Sequence, residues 1–192
     1  PPQPPGVPFP VPEWSEAAPG DPSRERLRAV ATRSLDKPAE TALARTRALV
    51  VVHGGRLVLE WYASGISERT RLQSWSMAKS MLHAALGIAM ADRRLAAGDA
   101  ANVPEWRGHD DPRARITLLQ LAQMTDGLRF DEDYANPQSH VMQMLFGAGR
   151  GDVGASAARA SLAHMPGTRW SYSSGSANLL SRKLRDALGG RE

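Results

Sequence analysis

Ser76 and Lys79, in the segment SWSMAKS, are the residues of this chain whose types and spacing bear most directly on chemistry. Three positions apart on a helix they are surface neighbours, so the amine reaches the hydroxyl. A serine hydroxyl is a weak nucleophile until an adjacent base takes its proton. Arginine cannot be that base because it stays protonated, whereas a lysine shielded from water has its charged form destabilised and accepts a proton near neutral pH. Free backbone N–H groups and the positive end of the dipole at a helix start also favour an oxyanion beside Ser76. The competing reading is a helix-capping serine next to a surface lysine. Tyr172, in WSYSSG, is the second candidate. Alone, that segment reads as a helix N-terminus with capping serines. Beside a Ser–Lys pair, an ammonium would lower the phenol's pKa and make it a proton shuttle.

The four-letter pattern has little weight without its setting. Ser34 and Lys37 repeat the Ser-x-x-Lys spacing, but Pro38 follows at once and no apolar helix continues, so that copy is a chance match in a linker. Ser76 differs because Lys79 to Ala91 carries only Lys79, Ser80 and His83 as strongly polar side chains. This predicts a helix apolar nearly all round and enclosed in a core. Lysine is also uncommon here: of 24 Lys and Arg, only Lys37, Lys79 and Lys183 are lysine, leaving 21 arginines.

Other elements must hold that helix. Residues 1–22 are proline-rich and expected to run extended. Ser23 to Leu35 predicts a serine-capped amphipathic helix with Leu27, Val30 and Leu35 inward, packed on a sheet. The sheet begins with a hairpin, Ala48–Val52 and Leu57–Tyr62 around His53-Gly54-Gly55. Residues 23–75 thus form the first part of an α/β lobe, and 76–192 the nucleophile helix and a helical lobe. Within the latter, helices are expected at Thr117–Thr125, Gln138–Phe146, Ala155–His164 and Ser176–Leu188, with no further strand. A two-stranded hairpin leaves an unpaired edge, so more strands are expected from outside these residues.

Composition narrows the function classes. The chain has 192 residues, 42% of them hydrophobic, enough for a true core. Its net charge of +4 comes from arginines scattered among acids rather than a basic stripe, so nucleic-acid binding is not expected. There is no cysteine and no paired histidine spacing for zinc, and no apolar run long enough to insert in a membrane. Gly149 to Gly154 spells GxGxxG without the preceding strand a dinucleotide site needs, so a loop between helices is expected. His53-Gly54-Gly55 reads as a hairpin turn rather than a catalytic motif. No cofactor is called for.

SWSMAKS, ITLLQLAQMTDGL, the loop DEDYANP and MPGTRWSYSSGSANLLSRKL occur in an order that resembles the serine β-lactamase-like hydrolases. The likeness is to the class C type branch with esterases and 6-aminohexanoate-oligomer hydrolases. It implies an α+β, β-lactamase/transpeptidase-like fold, an antiparallel sheet flanked by helices plus a helical lobe. It further implies Ser76 as acylated nucleophile, Lys79 as its partner and Tyr172 as general acid/base. Ser174 stands where class C β-lactamases carry Asn, which favours an ester or amide substrate over a β-lactam. Tyr134 falls where the oligomer hydrolases place a substrate-contacting tyrosine; a loop aromatic packed on the helical lobe is the equal alternative. The family's third motif, Lys/His-x-Gly on a downstream strand, is not reached by Glu192. The expected partners are therefore a small ester or amide substrate and a C-terminal portion of the same hydrolase that completes the sheet. A non-catalytic binding or regulatory module on the same scaffold is the alternative.

Overall fold

The structure, a computed structural model, describes residues 5–7, 14–16, 22–35, 45–108 and 110–190. Most of the proline-rich segment, and Lys37 of the second Ser-x-x-Lys match, lie outside the described residues. The chain divides after Gln73 into two compact units.

The first unit holds β1 (Ser15–Glu16), α1 (Pro22–Leu35), β2 (Ala48–His53) and β3 (Arg56–Tyr62). Valine-rich β2 and aromatic-bearing β3 pair antiparallel around Gly54-Gly55, both at positive φ as a tight hairpin turn requires. The sheet order is β1-β3-β2, and the two residues of β1 lie parallel to β3. The sheet is thus mixed where an antiparallel one was expected, because an extended piece of the proline-rich segment takes one edge of β3. Ala31 and Leu35 of α1 pack on Leu59, with Leu27, Leu49, Val51 and Trp61 around them. Val30, expected inward, is exposed. Successive positions lie about 100° apart on a helix, and the stripe runs through Ala31 instead.

The second unit is helical: α2 (Ala78–Ala91), α3 (Leu118–Ala122), α4 (His140–Leu145), α5 (Val153–Ala158) and α6 (Ser174–Ala187). Each short helix is started by a side chain. Thr117 and Gln120 form a reciprocal capping box on α3, Ser139 caps α4, Asp152 caps α5 and Ser173 caps α6. One core joins them through Leu86, Trp106, Ile116, Leu121, Met144 and Leu180.

Two expectations fail here. The helix foreseen at Ala155–His164 stops at Ala158. The Ala158 carbonyl accepts from Trp106 Nε1 (2.8 Å) and Arg113 Nη1 (3.0 Å), and the Ala160 carbonyl from Arg113 Nη1 (2.8 Å). Leu162 then bridges to Leu128. Side chains from elsewhere take the carbonyls that a longer helix would have used. Second, within the helical unit α2 is covered on one side: Leu86 and Ala89 are buried, while Met77 just before it, Met81 and Ile88 are 70%, 74% and 65% exposed. The helical unit supplies a packing partner, chiefly α6, for one face only.

The start of α6 is pinned from beneath. Ser176 Oγ donates to Asp126 Oδ2 at 2.6 Å, and Asp126 Oδ1 accepts from the Leu128 amide at 2.9 Å; both side chains are buried. Burial pushes the Asp126 carboxyl above its ordinary value, against the downward pull of the Ser176 hydroxyl and the Leu128 amide. An acid whose folded pKa is raised contributes stability below its unfolded value, about 3.9, and loses it as pH rises through the folded value. Asp126→Asn, which cannot ionise, is therefore expected to gain stability relative to the wild type between acidic and neutral pH. Urea denaturation of both proteins across that range measures the difference, and a gap that stays constant with pH contradicts the expectation.

Candidate active site

Ser76 lies in a single 3-10 turn, Trp75–Met77, that leads into α2, and Lys79 occupies the first turn of α2 itself. Neither Ser74 nor Met77, at the two N-cap positions, makes a side-chain capping bond. Ser76 itself occupies neither N-cap position. Trp75, immediately before it, has φ of 46°, a left-handed conformation uncommon for a bulky residue and costing about 1–3 kcal/mol. Such strain persists only where the surroundings hold it.

Lys79 Nζ donates to Ser76 Oγ at 3.1 Å, and Tyr172 Oη donates to the same oxygen at 2.6 Å. Tyr172 stands one residue before the Ser173 cap of α6, 96 positions from Ser76. The fold therefore brings together the three residues singled out for acyl transfer. Lys79 Nζ also lies 5.0 Å from the centre of the Tyr172 ring. Burial works to raise the Tyr172 pKa, but the hydrogen bonds with Ser76 and Lys79 and the Lys79 charge outweigh it. The phenol is held below its ordinary value, with Glu132 pulling the other way.

Ser174 is buried at the first position of α6, where its Oγ accepts from Lys79 Nζ at 3.1 Å and donates to Glu132 Oε2 at 3.2 Å. The Ser174 amide donates to Glu132 Oε1. Gly175 follows because a Cβ there would come within 2.5 Å of the Phe130 ring. Glu132 was not singled out from the sequence, where DEDYANP reads as a polar loop. Its neighbours spend their carboxylates on the backbone: Asp131 accepts from the Asp133 amide at 3.0 Å and Asp133 from the Ala135 amide at 2.8 Å. Two such turns around a single glutamate are the local signal that marks it.

Beside Ser76 opens a cleft of about 370 Å³, within the range of small-molecule sites. Trp75 and Tyr134 stand in its lining, ring centres 6.5 Å apart and edge to face, while Leu82, Leu145 and Ala177 form an apolar wall. Tyr134 is 46% exposed and so is not a core aromatic. Lys79 is the one charged side chain in that lining among the described residues. Among the described residues no cluster of three His, Cys, Asp or Glu could hold a metal, and no helix is long and apolar enough to cross a membrane.

Residues 32–192 match the Beta-lactamase family. The chain belongs to that family. A 6-aminohexanoate-dimer hydrolase of Paenarthrobacter ureafaciens is 29% identical over 120 residues, which make up 60% of this chain and 30% of the relative. A solved structure described as "Putative 6-aminohexanoate-dimer hydrolase from Bacillus anthracis" superposes with a TM-score of 0.66 at 22% identity, over 92% of this chain and 49% of that one. That superposition establishes the β-lactamase/transpeptidase-like fold, with the sheet represented here by three strands. The chain spans about half the length of that structure and under a third of the curated relative.

Proposed function

We propose that this β-lactamase-family chain carries the nucleophile and acid–base residues of a serine hydrolase that cleaves a small amide or ester through an acyl-enzyme. The observation that carries this reading is one oxygen, Ser76 Oγ, hydrogen-bonded to both Lys79 and Tyr172 beside an apolar cleft. In the productive state the Ser76 hydroxyl donates to the neutral Lys79 amine. The O–H bond breaks as Oγ bonds to the substrate carbonyl carbon, and the proton passes through Tyr172 to the leaving nitrogen or oxygen as the bond from that atom to the carbon breaks. Water then bonds to the acyl carbon and gives a proton to the same pair, the bond from that carbon to Oγ breaks, and the proton returns to Oγ as the acid leaves. The named activity of the Paenarthrobacter relative, and Ser174 where class C β-lactamases carry Asn, favour an amide or ester over a β-lactam.

The remainder of the site, including a strand that supplies an oxyanion-binding N–H, is proposed to come from C-terminal sequence that covers Met81 and Ile88. The Bacillus structure is about twice as long as the span compared. A fluorophosphonate probe on the full-length protein is expected to label Ser76, with labelling lost in Ser76→Ala. Absence of label from the wild type would sink the proposal. Short-chain nitrophenyl esters, a cephalosporin and a linear aminohexanoate dimer, assayed side by side, then rank the substrates.

A further inference from the structure

We infer that Glu132 is a positioning residue for the Ser–Lys–Tyr centre, acting through the Ser174 hydroxyl to aim the Lys79 amine at Ser76. The inference rests on the serine hydrolase reading above and goes further by assigning Glu132 a role in it.

Hydrogen-bond direction decides which way the Lys79 amine faces. Ser174 has one hydroxyl hydrogen and two lone pairs. Glu132 is acceptor-only when ionised, so the 3.2 Å contact to Oε2 commits the Ser174 hydrogen to Glu132. The lone pairs of Ser174 Oγ then face Lys79 Nζ at 3.1 Å. A neutral amine has two N–H donors and one lone pair. An obligate acceptor at Ser174 draws an N–H to that side and leaves the lone pair for the Ser76 hydroxyl, 3.1 Å away. Were the Ser174 hydrogen free, it would donate to the amine lone pair and compete with Ser76 for the base. Glu132 takes no proton in this scheme; its carboxylate stays in place through both half-reactions. The bond from the Ser174 amide to Oε1 holds the carboxylate, and the turns at Asp131 and Asp133 hold the loop.

Glu132→Gln tests this with little change of shape. If the amide oxygen keeps the Ser174 N–H, the amide nitrogen must donate to Ser174 Oγ and turn its hydroxyl hydrogen toward Lys79. The expected result in the full-length protein is a kcat lower by roughly 10- to 100-fold, short of the full acid–base contribution of about 10²–10⁴, with KM little changed. Glu132→Asp restores part of the rate. Ser174→Ala is expected to lose a similar factor, and Glu132→Gln added to it to lose nothing more, since the two act in series. Fully additive losses, or Glu132→Gln with wild-type kcat, overturn the inference.

A readout independent of turnover is the titration of Tyr172 followed by NMR with labelled tyrosine and assigned by Tyr172→Phe. The ionisable groups that act on this phenol are Lys79 from α2, in the steps where it holds the proton, and Glu132 from the loop. Removing the Glu132 charge is expected to move the titration to lower pH, and an unchanged titration overturns the coupling. A wild type that fails to label at Ser76 while its Tyr172 responds to Glu132→Gln refutes the hydrolase reading, and with it the role in catalysis assigned to Glu132.

Discussion

Lys79→Arg is expected to lower the rate of Ser76 acylation by about 10³-fold, within the range of about 10²–10⁴ for a positioned acid–base group. The substitution separates charge from basicity. Arginine places a permanent cation beside the Tyr172 ring and retains donors for Ser76 and Ser174, but it cannot give up its proton. Lys79→Met would remove both properties and so could not tell electrostatic support from proton transfer. The check is the single-turnover rate of fluorophosphonate or nitrophenyl-ester acylation in the full-length protein, with folding followed by circular dichroism. Acylation within about tenfold of wild type would show that Lys79 acts as a charge, leaving the Tyr172 phenolate as the base that takes the Ser76 proton.

Trp106→Ala is expected to destabilise the helical unit by about 3–5 kcal/mol, the range for removing a buried aromatic side chain from a core. Trp106 is 1% exposed and is among the largest fully buried side chains of the chain. Its Nε1 donates to the Ala158 carbonyl, and the Arg113 guanidinium lies 5.6 Å from its ring centre, paired in turn with Asp111 at 2.7 Å. Removing the indole opens a void that this framework cannot close. Against a typical domain stability of about 5–15 kcal/mol, the loss is a large fraction of the whole. Urea denaturation gives the measure: the midpoint falls while the slope stays unchanged. A shift of less than about 1 kcal/mol would mean that the core around Ile116 and Leu121 repacks into the space.

Several local signals place their elements correctly, although α1 starts at Pro22, ahead of the serine cap expected at Ser23. Thr117 with Gln120, Ser139 before His140 and Gly54-Gly55 between two β-branched or aromatic runs act within a few residues of chain, and each boundary lies near where these residues put it. The extent of the helix after Asp152 is not legible locally because its end depends on Trp106 and Arg113, about 50 residues earlier. The burial of α2 is not legible for a related reason. An apolar run predicts a helix that can be covered on every side, but not that the neighbouring helices supply all of the cover.

What the sequence determined by itself is the chemistry on offer: a serine and a lysine one turn apart, a tyrosine before a serine-capped helix, and no cysteine or paired histidines to support thiolate or zinc chemistry. These follow from residue type and short spacing. Only the tertiary structure decided which groups meet. Ser76 and Tyr172 are 96 residues apart and share a hydrogen bond, and Glu132 reaches Ser174 across 42. Contacts of that separation arise from how α2 and α6 pack over a common core, and periodicity carries no record of them.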